Sequence, residues 1–385
     1  MTFSSMGVDF RAVEELLHSA QRAGEVPGGV ALVRRQGTTV FHEAFGWASL
    51  QPDARAMQVD TIFDLASLTK PLATTPLVLQ FVDRGTIALD DPVSRYLPAM
   101  ADFSDGRVTI RQLLTHTGGL AAWLPLYVWT SDRHDVLRVI ATTEPEYTPG
   151  TQVVYSCLGF ILLGLLVEEL AGCRLDEAAS QRVFAPLELK DTGYGPHVEP
   201  ARCARTEQGN RYEETMVAEA GLHFGGWRQD CLPGTVHDGN AWYALGGISG
   251  NAGLFGTAHD VGLLGQMWLD TGRVGTRRVL SEWTAQAATS DVTEHLNEAR
   301  GLGWQINRTA RGDSTRSDAD ISSAGNMLGV RAFGHTGFTG TSVWIDPDLD
   351  LVAVLLTNRV HPTVRERAVI TDLRRRFHDA VVQAG

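Results

Sequence analysis

Lysine is almost missing from this chain of 385 residues. Of its 33 basic side chains only Lys70 and Lys190 are lysine, and all the rest are arginine. Arginine stays protonated in proteins, whereas a buried lysine can give up its proton and act as a base. A lysine kept against that bias is a candidate for chemistry that arginine cannot perform. Positive charge is short overall, since 45 acidic residues leave a net charge of −12. That balance excludes the broad basic footprint of a nucleic-acid binder. The one basic run, Arg374-Arg375-Arg376, lies in a helical pattern and reads as a solvated helix end.

Cysteine is sparse as well. Cys157, Cys173, Cys203 and Cys231 form no C-x-x-C pair, and their spacing suits no zinc site, so reduced, mostly buried thiols are expected. The twelve histidines include no H-E-x-x-H, and neither a metal nor another cofactor is expected. There is no G-x-S-x-G, which sets aside the nucleophile elbow of an α/β-hydrolase. Long apolar runs are absent too. The longest, from Phe160 to Val167, is interrupted by Gly164 and is too short to span a bilayer. The start, Met1-Thr2-Phe3-Ser4-Ser5-Met6, lacks the basic, apolar and small-residue succession of a secretory signal. A cytoplasmic protein with no membrane partner is the expectation.

What is present is an ordinary globular composition, 43% hydrophobic and 20% charged, which suffices for a sizeable core. Asp9 can cap a helix that carries Val13, Leu16, Leu17 and Ala20 on one face. Residues 28–34 read as a strand, with a turn near Gln36-Gly37 and a hairpin partner over 38–44. A helix follows Ser67, from 68 to about 83, and stops at Gly85. The middle carries helical patterns at 110–115, 136–142, 158–171 and 258–269. The irregular stretches 120–130 and 221–251 lie between them and are of the kind that shapes binding sites. Strands return at 302–306, 332–335, 342–345 and 351–357, with a turn at Asp346-Pro347-Asp348, and a last helix covers about 364–382. Residues 309–325, rich in Arg, Asp, Ser and Gly, read as an exposed loop. The fold class is therefore α+β. Residues 1–85 and 275–385 would build an antiparallel sheet flanked by the terminal helices, with 86–274 as an inserted, mainly helical domain.

Three short segments carry residue types suited to acyl transfer. Ser67-Leu68-Thr69-Lys70 is an S-x-x-K motif, and residues three apart on a helix face the same way. The helix N-terminus favours an alkoxide at Ser67 and, together with burial, is expected to lower the pKa of Lys70 until it can take the serine proton. Tyr155-Ser156-Cys157 precedes an apolar helix; Tyr155 is either a packing tyrosine or a proton shuttle beside Lys70. His335-Thr336-Gly337 ends a strand, where glycine permits close approach of substrate or simply makes a bend. Trp123, Tyr127 and Trp129 crowd one loop, and Trp227, Trp242 and Tyr243 another; they suit an apolar pocket or ordinary packing. His116 with Gly118-Gly119, and His237 with Asp238, read as structural before catalytic.

Taken together, the order and wide spacing of these boxes resemble the superfamily of β-lactamases, penicillin-binding proteins and family VIII esterases, in its class C β-lactamase-like branch. The matching pieces run from Gly28 to His361 and include 63–70, 113–120, 155–172, 334–340 and Trp344-Ile345-Asp346-Pro347. The resemblance implies a β-lactamase/transpeptidase-like fold and an acyl-enzyme. Ser67 would be the nucleophile, Lys70 its base partner and Tyr155 the general acid or base. The N–H groups of Ser67 and Phe338 would form the oxyanion hole. Cys157, His335, Thr336, Gly337, Trp123 and Tyr127 would line the substrate site. Two departures matter. Cys157 stands where that branch usually has Asn, and His335 where it has Lys, which removes a fixed positive charge. Both suit uncharged esters or amides, and since esterases of this superfamily often show such a third box, a carboxylesterase-like serine hydrolase acting on small esters is expected. The alternatives are a β-lactamase or D-amino-acid amidase or peptidase, favoured if Arg331 or Arg359 restores the charge, and an inactive binding protein on the same scaffold.

Overall fold

The computed structural model describes residues 9–195, 199–230, 232–307 and 323–385. Cys231 and most of the 309–325 stretch lie outside them. A seven-stranded antiparallel sheet is drawn from both ends of the chain. The N-terminal end supplies β1 (Gly28–Arg35), β2 (Thr38–Ser49) and β3 (Arg55–Ala56); the C-terminal part supplies β9 (Gln305–Ile306), β10 (Phe333–Thr336), β11 (Ser342–Asp346) and β12 (Leu351–Thr357). Their spatial order is β3-β2-β1-β12-β11-β10-β9. The first and last long strands therefore lie side by side, with Val30 opposite Leu356 and Leu32 opposite Val354.

Side chains alternate across a strand, and here both faces are covered. Val30, Leu32, Val352, Val354 and Leu356 enter one core, while Ala31, Val33, Leu351, Ala353 and Leu355 enter another. That double burial is why these strands read as unbroken apolar runs. The second core is closed by α1 (Arg11–Arg22) and α10 (Arg367–Gln383), through Val13, Leu17, Leu373 and Phe377. The first is closed by α8 (Ala258–Leu269), whose Val261 and Leu264 join the sheet residues. The same core continues without a break into α2 (Thr75–Asp83), α3 (Ile110–Leu114), α4 (Arg133–Ala141), α5 (Cys157–Ala171), α6 (Leu175–Ala179), α7 (Arg211–Glu219) and α9 (Glu282–Ala288).

The expected α+β architecture is thus present, with differences of detail. Asp9 accepts the Arg11 N–H, but Phe10 occupies the cap position. Only Gln305–Ile306 of the expected 302–306 strand pairs, while β2 runs on to Ser49. A three-stranded sheet of β4 (Phe63–Asp64), β6 (Leu254–Gly256) and β5 (Gly193–Tyr194), and the β7 (Arg273–Val274)–β8 (Arg277–Arg278) hairpin, carry too few residues for a periodicity to show. Among the described residues no helix is long and apolar enough to cross a membrane.

From Leu158 to Val167 helix α5 is apolar on every side, as a helix through a core must be, and only its last turn carries charge, at Glu168 and Glu169. Ser156 caps it by accepting the Gly159 N–H, and Gly172 ends it at φ 66°. It passes residue 250 so closely that a Cβ on Gly250 would lie 2.0 Å from the Phe160 carbonyl oxygen. The Gly250 carbonyl accepts the Thr74 hydroxyl at 2.8 Å. The two glycines of this crossing, Gly164 and Gly250, therefore set how near Asn251 comes to the first helical turns. Gly250→Ala is expected to cost about 1–3 kcal/mol through overpacking. Urea denaturation checks this; a wild-type midpoint would mean that the crossing has slack.

Candidate active site

Between β4 and α2 the chain makes a tight turn at Ala66–Leu68 and a widened one at Lys70–Thr74. Pro71 and Pro76, each without an N–H, disturb the regular ladder expected over 68–83. Ala66 sits at φ 47°, a left-handed backbone that L-residues avoid. It is held there by Asp64, whose buried carboxylate accepts the Ala66 N–H at 2.9 Å and the His237 N–H at 2.7 Å. Burial raises the pKa of Asp64, and these two hydrogen bonds offset part of the rise. Sequence reading missed Asp64; its place at the end of a two-residue strand carries no local signal.

This turn brings Ser67 and Lys70 together. Lys70 is 0% exposed, and its Nζ lies 2.9 Å from Ser67 Oγ, 3.0 Å from the Asn251 carbonyl oxygen and 3.8 Å from Cys157 Sγ. The chain's other lysine, Lys190, is exposed. The expectation that Lys70 has a lowered pKa is corrected. Burial pushes it down, but attraction to Cys157, Tyr155 and Asp238 raises it above the ordinary lysine value, the pull of the first two acting only once one of them has lost its proton.

Tyr155 is fixed by His116. The Val154 N–H donates to the His116 carbonyl at 2.9 Å, and the Ser156 N–H donates to His116 Nδ1 at 3.0 Å. The His116 ring packs 4.5 Å from that of Tyr155. Lys70 Nζ lies 4.9 Å from the Tyr155 ring centroid. The Tyr155 hydroxyl is buried beside Lys70 and Ser67, close enough to interact with both but without a hydrogen bond of good geometry to either. Burial raises its pKa, and the nearby Lys70 ammonium offsets part of that. The Cys157 thiol is likewise pushed up by burial.

The loop after β10 closes on the turn that carries Ser67. A Cβ on Gly337 would lie 2.5 Å from the Leu65 carbonyl oxygen, so only glycine fits there. Thr339 and Thr341 donate their hydroxyls to the carbonyls of Asp64 and Leu65, at 2.7 and 3.0 Å. Together these pieces border a cleft of about 980 Å³ that holds Ser67, Trp123, Tyr155, Cys157, His335, Thr336, Gly337 and Phe338. Tyr127 does not line it. Its ring packs among Phe224, Trp227 and Tyr243, and its hydroxyl donates to Glu213 at 2.8 Å. One group of three possible metal ligands, Glu14, His18 and Glu43, comes together among the described residues, and none of the three lines the cleft.

Positive charge does reach the cleft, through Arg300, Arg359, Arg365, Arg367 and Arg374. Arg300 pairs with Glu298 at 2.7 Å. Arg359 donates to the carbonyls of Phe338 and Arg365, at 2.8 and 2.6 Å. Arg331 instead pairs with Asp348 on the surface. Arg374, expected on a solvated helix end, is only 5% exposed. It turns inward from α10 and donates to the carbonyls of Gly337 and Thr341, at 2.9 and 2.8 Å. Burial first, then repulsion from Arg359 and Arg367, brings its pKa down to about 9.

The opposite wall is acidic. His237 also lines the cleft; its Nε2 lies 2.8 Å from Glu207 Oε2, and its ring stacks on Phe338. Glu213 accepts the Gly239 N–H at 2.8 Å, and burial, with repulsion from Asp238 next, raises its pKa to about 7. A carboxyl raised from about 4.5 stabilises the fold fully below the lower value, and that contribution is lost as pH rises through 7. Glu213→Gln should therefore raise stability at pH 8, on the order of 3 kcal/mol at most, and change it little near pH 4.5. Thermal denaturation at the two pH values tests this, and equal shifts at both would contradict it.

The comparisons with known proteins agree with this geometry. The family model described as Beta-lactamase matches residues 11–375. An Escherichia coli K12 protein named "Putative D-alanyl-D-alanine carboxypeptidase" is 31% identical over 358 residues, covering 87% of this chain and 79% of that protein. EstCE1, described as a hydrolase with promiscuous acyltransferase activity, superposes with a TM-score of 0.72 at 24% identity, over 96% of this chain and 97% of its own. A penicillin-binding protein homolog from Caulobacter crescentus superposes with a TM-score of 0.73 at 21% identity, over 98% and 97%. With its nucleophile turn, its buried lysine and this match along nearly the whole chain, the protein belongs to the Beta-lactamase family of serine hydrolases.

Proposed function

We propose that this hydrolase acts on small esters through an acyl-enzyme on Ser67, as a carboxylesterase-like enzyme. The observation that carries the reading is the 2.9 Å contact between Ser67 Oγ and Lys70 Nζ, with the buried Tyr155 hydroxyl beside it. In the neutral amine, two N–H groups serve the Asn251 carbonyl and Cys157, and the lone pair faces the Ser67 hydroxyl. Ser67 Oγ attacks the carbonyl carbon, and its proton passes to Lys70. The oxyanion is taken by the N–H groups of Ser67 and Phe338. Tyr155 delivers a proton to the leaving alkoxide and recovers one from the water that attacks the acyl-enzyme, and Lys70 returns its proton to Ser67 Oγ as the acyl–oxygen bond breaks. His335 supports an ester preference, because its ring is buried and its pKa lies well below the ordinary value, so it offers no cation to a substrate carboxylate.

A second reading, a D-alanyl amide or a lactam, draws support from the arginines of the cleft. Arg300 is paired with a carboxylate, and Arg359 and Arg374 are tied to main-chain carbonyls, whereas the exposed Arg367 on the same cleft keeps its charge available to a substrate carboxylate. Mass spectrometry after fluorophosphonate treatment should find one adduct that disappears in Ser67→Ala. Turnover of p-nitrophenyl acetate and butyrate should exceed that of nitrocefin and of a D-alanyl-D-alanine peptide. Dominant nitrocefin or peptide turnover would favour the second reading, and the lack of both adduct and turnover the inactive scaffold.

The raised pKa values of Lys70 and Tyr155 set the pH dependence. One proton must leave this pair before a base exists, and neither group yields it readily at neutral pH. The value of kcat/KM for p-nitrophenyl butyrate should therefore climb from pH 7 to 9, after correction for spontaneous hydrolysis. A plateau already reached at pH 7 would mean a base with a depressed pKa.

A further inference from the structure

His335 has a feature that the reaction above does not use. It is 3% exposed, and its Nδ1 lies 2.9 Å from the Thr336 carbonyl oxygen. A carbonyl only accepts, so Nδ1 carries the hydrogen and the neutral ring presents a lone pair at Nε2. That Nε2 is buried and has no partner among the described residues, although the residue lines the cleft 5.8 Å, ring to ring, from Tyr155. A buried acceptor left unpaired costs stability, and such groups in a cleft are commonly completed by the ligand.

We propose that His335 Nε2 is a specificity-determining acceptor for an uncharged hydrogen-bond donor, a hydroxyl or an amide N–H, on the portion of the substrate that leaves past Tyr155. This rests on the acyl-enzyme reading above and narrows its substrate class. The groups that face the ring favour a neutral donor over the alternatives. Lys70, Arg300 and Arg374 all oppose its protonation, as does burial, and they also repel a substrate ammonium. Tyr155 and His116 add no anion, since Tyr155 is held protonated and the His116 ring, buried and neutral, accepts the Ser156 N–H. A substrate carboxylate has no hydrogen to give and would meet a lone pair.

Three butyrate esters test this, with n-propyl, 2-hydroxyethyl and carboxymethyl alcohol portions, each followed by acid release. In the wild type the 2-hydroxyethyl ester should exceed the propyl ester in kcat/KM by about tenfold, the size of one hydrogen bond. The ratio should stay constant from pH 6 to 8. In His335→Leu it should fall toward one, and in His335→Gln, which keeps an acceptor, part of it should survive. His335→Lys should shift preference to the carboxymethyl ester. Ratios are read within each variant, and fluorophosphonate labelling of Ser67 confirms that each is folded. A wild-type ratio near one, or a ratio unchanged in His335→Leu, overturns the proposal while leaving the esterase reading intact. No turnover of any of the three with Ser67 still labelled overturns the esterase reading and, with it, the leaving portion assigned here.

Discussion

Everything in the site depends on how the 64–67 turn is held against the 337–341 loop. Two stretches more than 270 residues apart are joined at the Asp64 and Leu65 carbonyls by the hydroxyls of Thr339 and Thr341. The Asp64 carboxylate adds a third segment by taking the His237 N–H together with that of Ala66. Each of these groups is buried, and a buried polar group without a partner would cost about 1–3 kcal/mol. The turn therefore has little freedom to open. Ala66 is kept in a backbone region it would otherwise leave, and Ser67 is presented to Lys70 on the wall of the cleft that Tyr155 and Phe338 also line.

The central sheet makes that contact possible. Pairing of β1 with β12 brings the two ends of the chain together, and β11 and β10 then carry the 337–341 loop to the edge of the cleft. Helix α10 closes the far face of the same sheet through Leu373 and Phe377. Arg374, adjacent to Leu373, reaches the carbonyls of Gly337 and Thr341. One helix thus seals a core and fixes the catalytic loop. Its arginine is tolerated without a carboxylate because main-chain oxygens take its hydrogens, at the expense of a pKa reduced to about 9.

The parts that sequence reveals are those whose signal is local. The apolar run of Leu351–Thr357 marked a buried strand, and Ala258–Leu269 marked a helix, with the bounds the structure gives. Ser67 and Lys70 could be paired from their spacing alone. What stayed hidden depends on partners far along the chain. Arg374 has the sequence surroundings of a surface residue, and only the packing of α10 turns it inward. Tyr127 sits among the aromatic residues that suggested a pocket, yet Glu213, 86 residues away, draws its hydroxyl behind the wall. The direction of the Lys70 shift was misjudged for the same reason, since burial was foreseeable and the groups that outweigh it, above all Cys157, were not.

The chain's strong preference for arginine makes physical sense in this setting. At Arg359 and Arg374 the task is to satisfy several fixed carbonyl oxygens at once, which a planar fork of N–H donors does well. At position 70 the task is different. There the group fits with no exposure between α5 and the 250–251 segment and meets Ser67 with a single nitrogen, and in the mechanism proposed above it exchanges a proton. A guanidinium holds its proton more tightly than an ammonium in the same surroundings, and its fork would need more acceptors than Ser67, Asn251 and Cys157 provide. A raised lysine pKa is compatible with this role: the amine is scarce at neutral pH, but once formed it is a strong base at contact distance. The site thus trades the population of the reactive form for its basicity, and the buried neighbours of Lys70 set that balance.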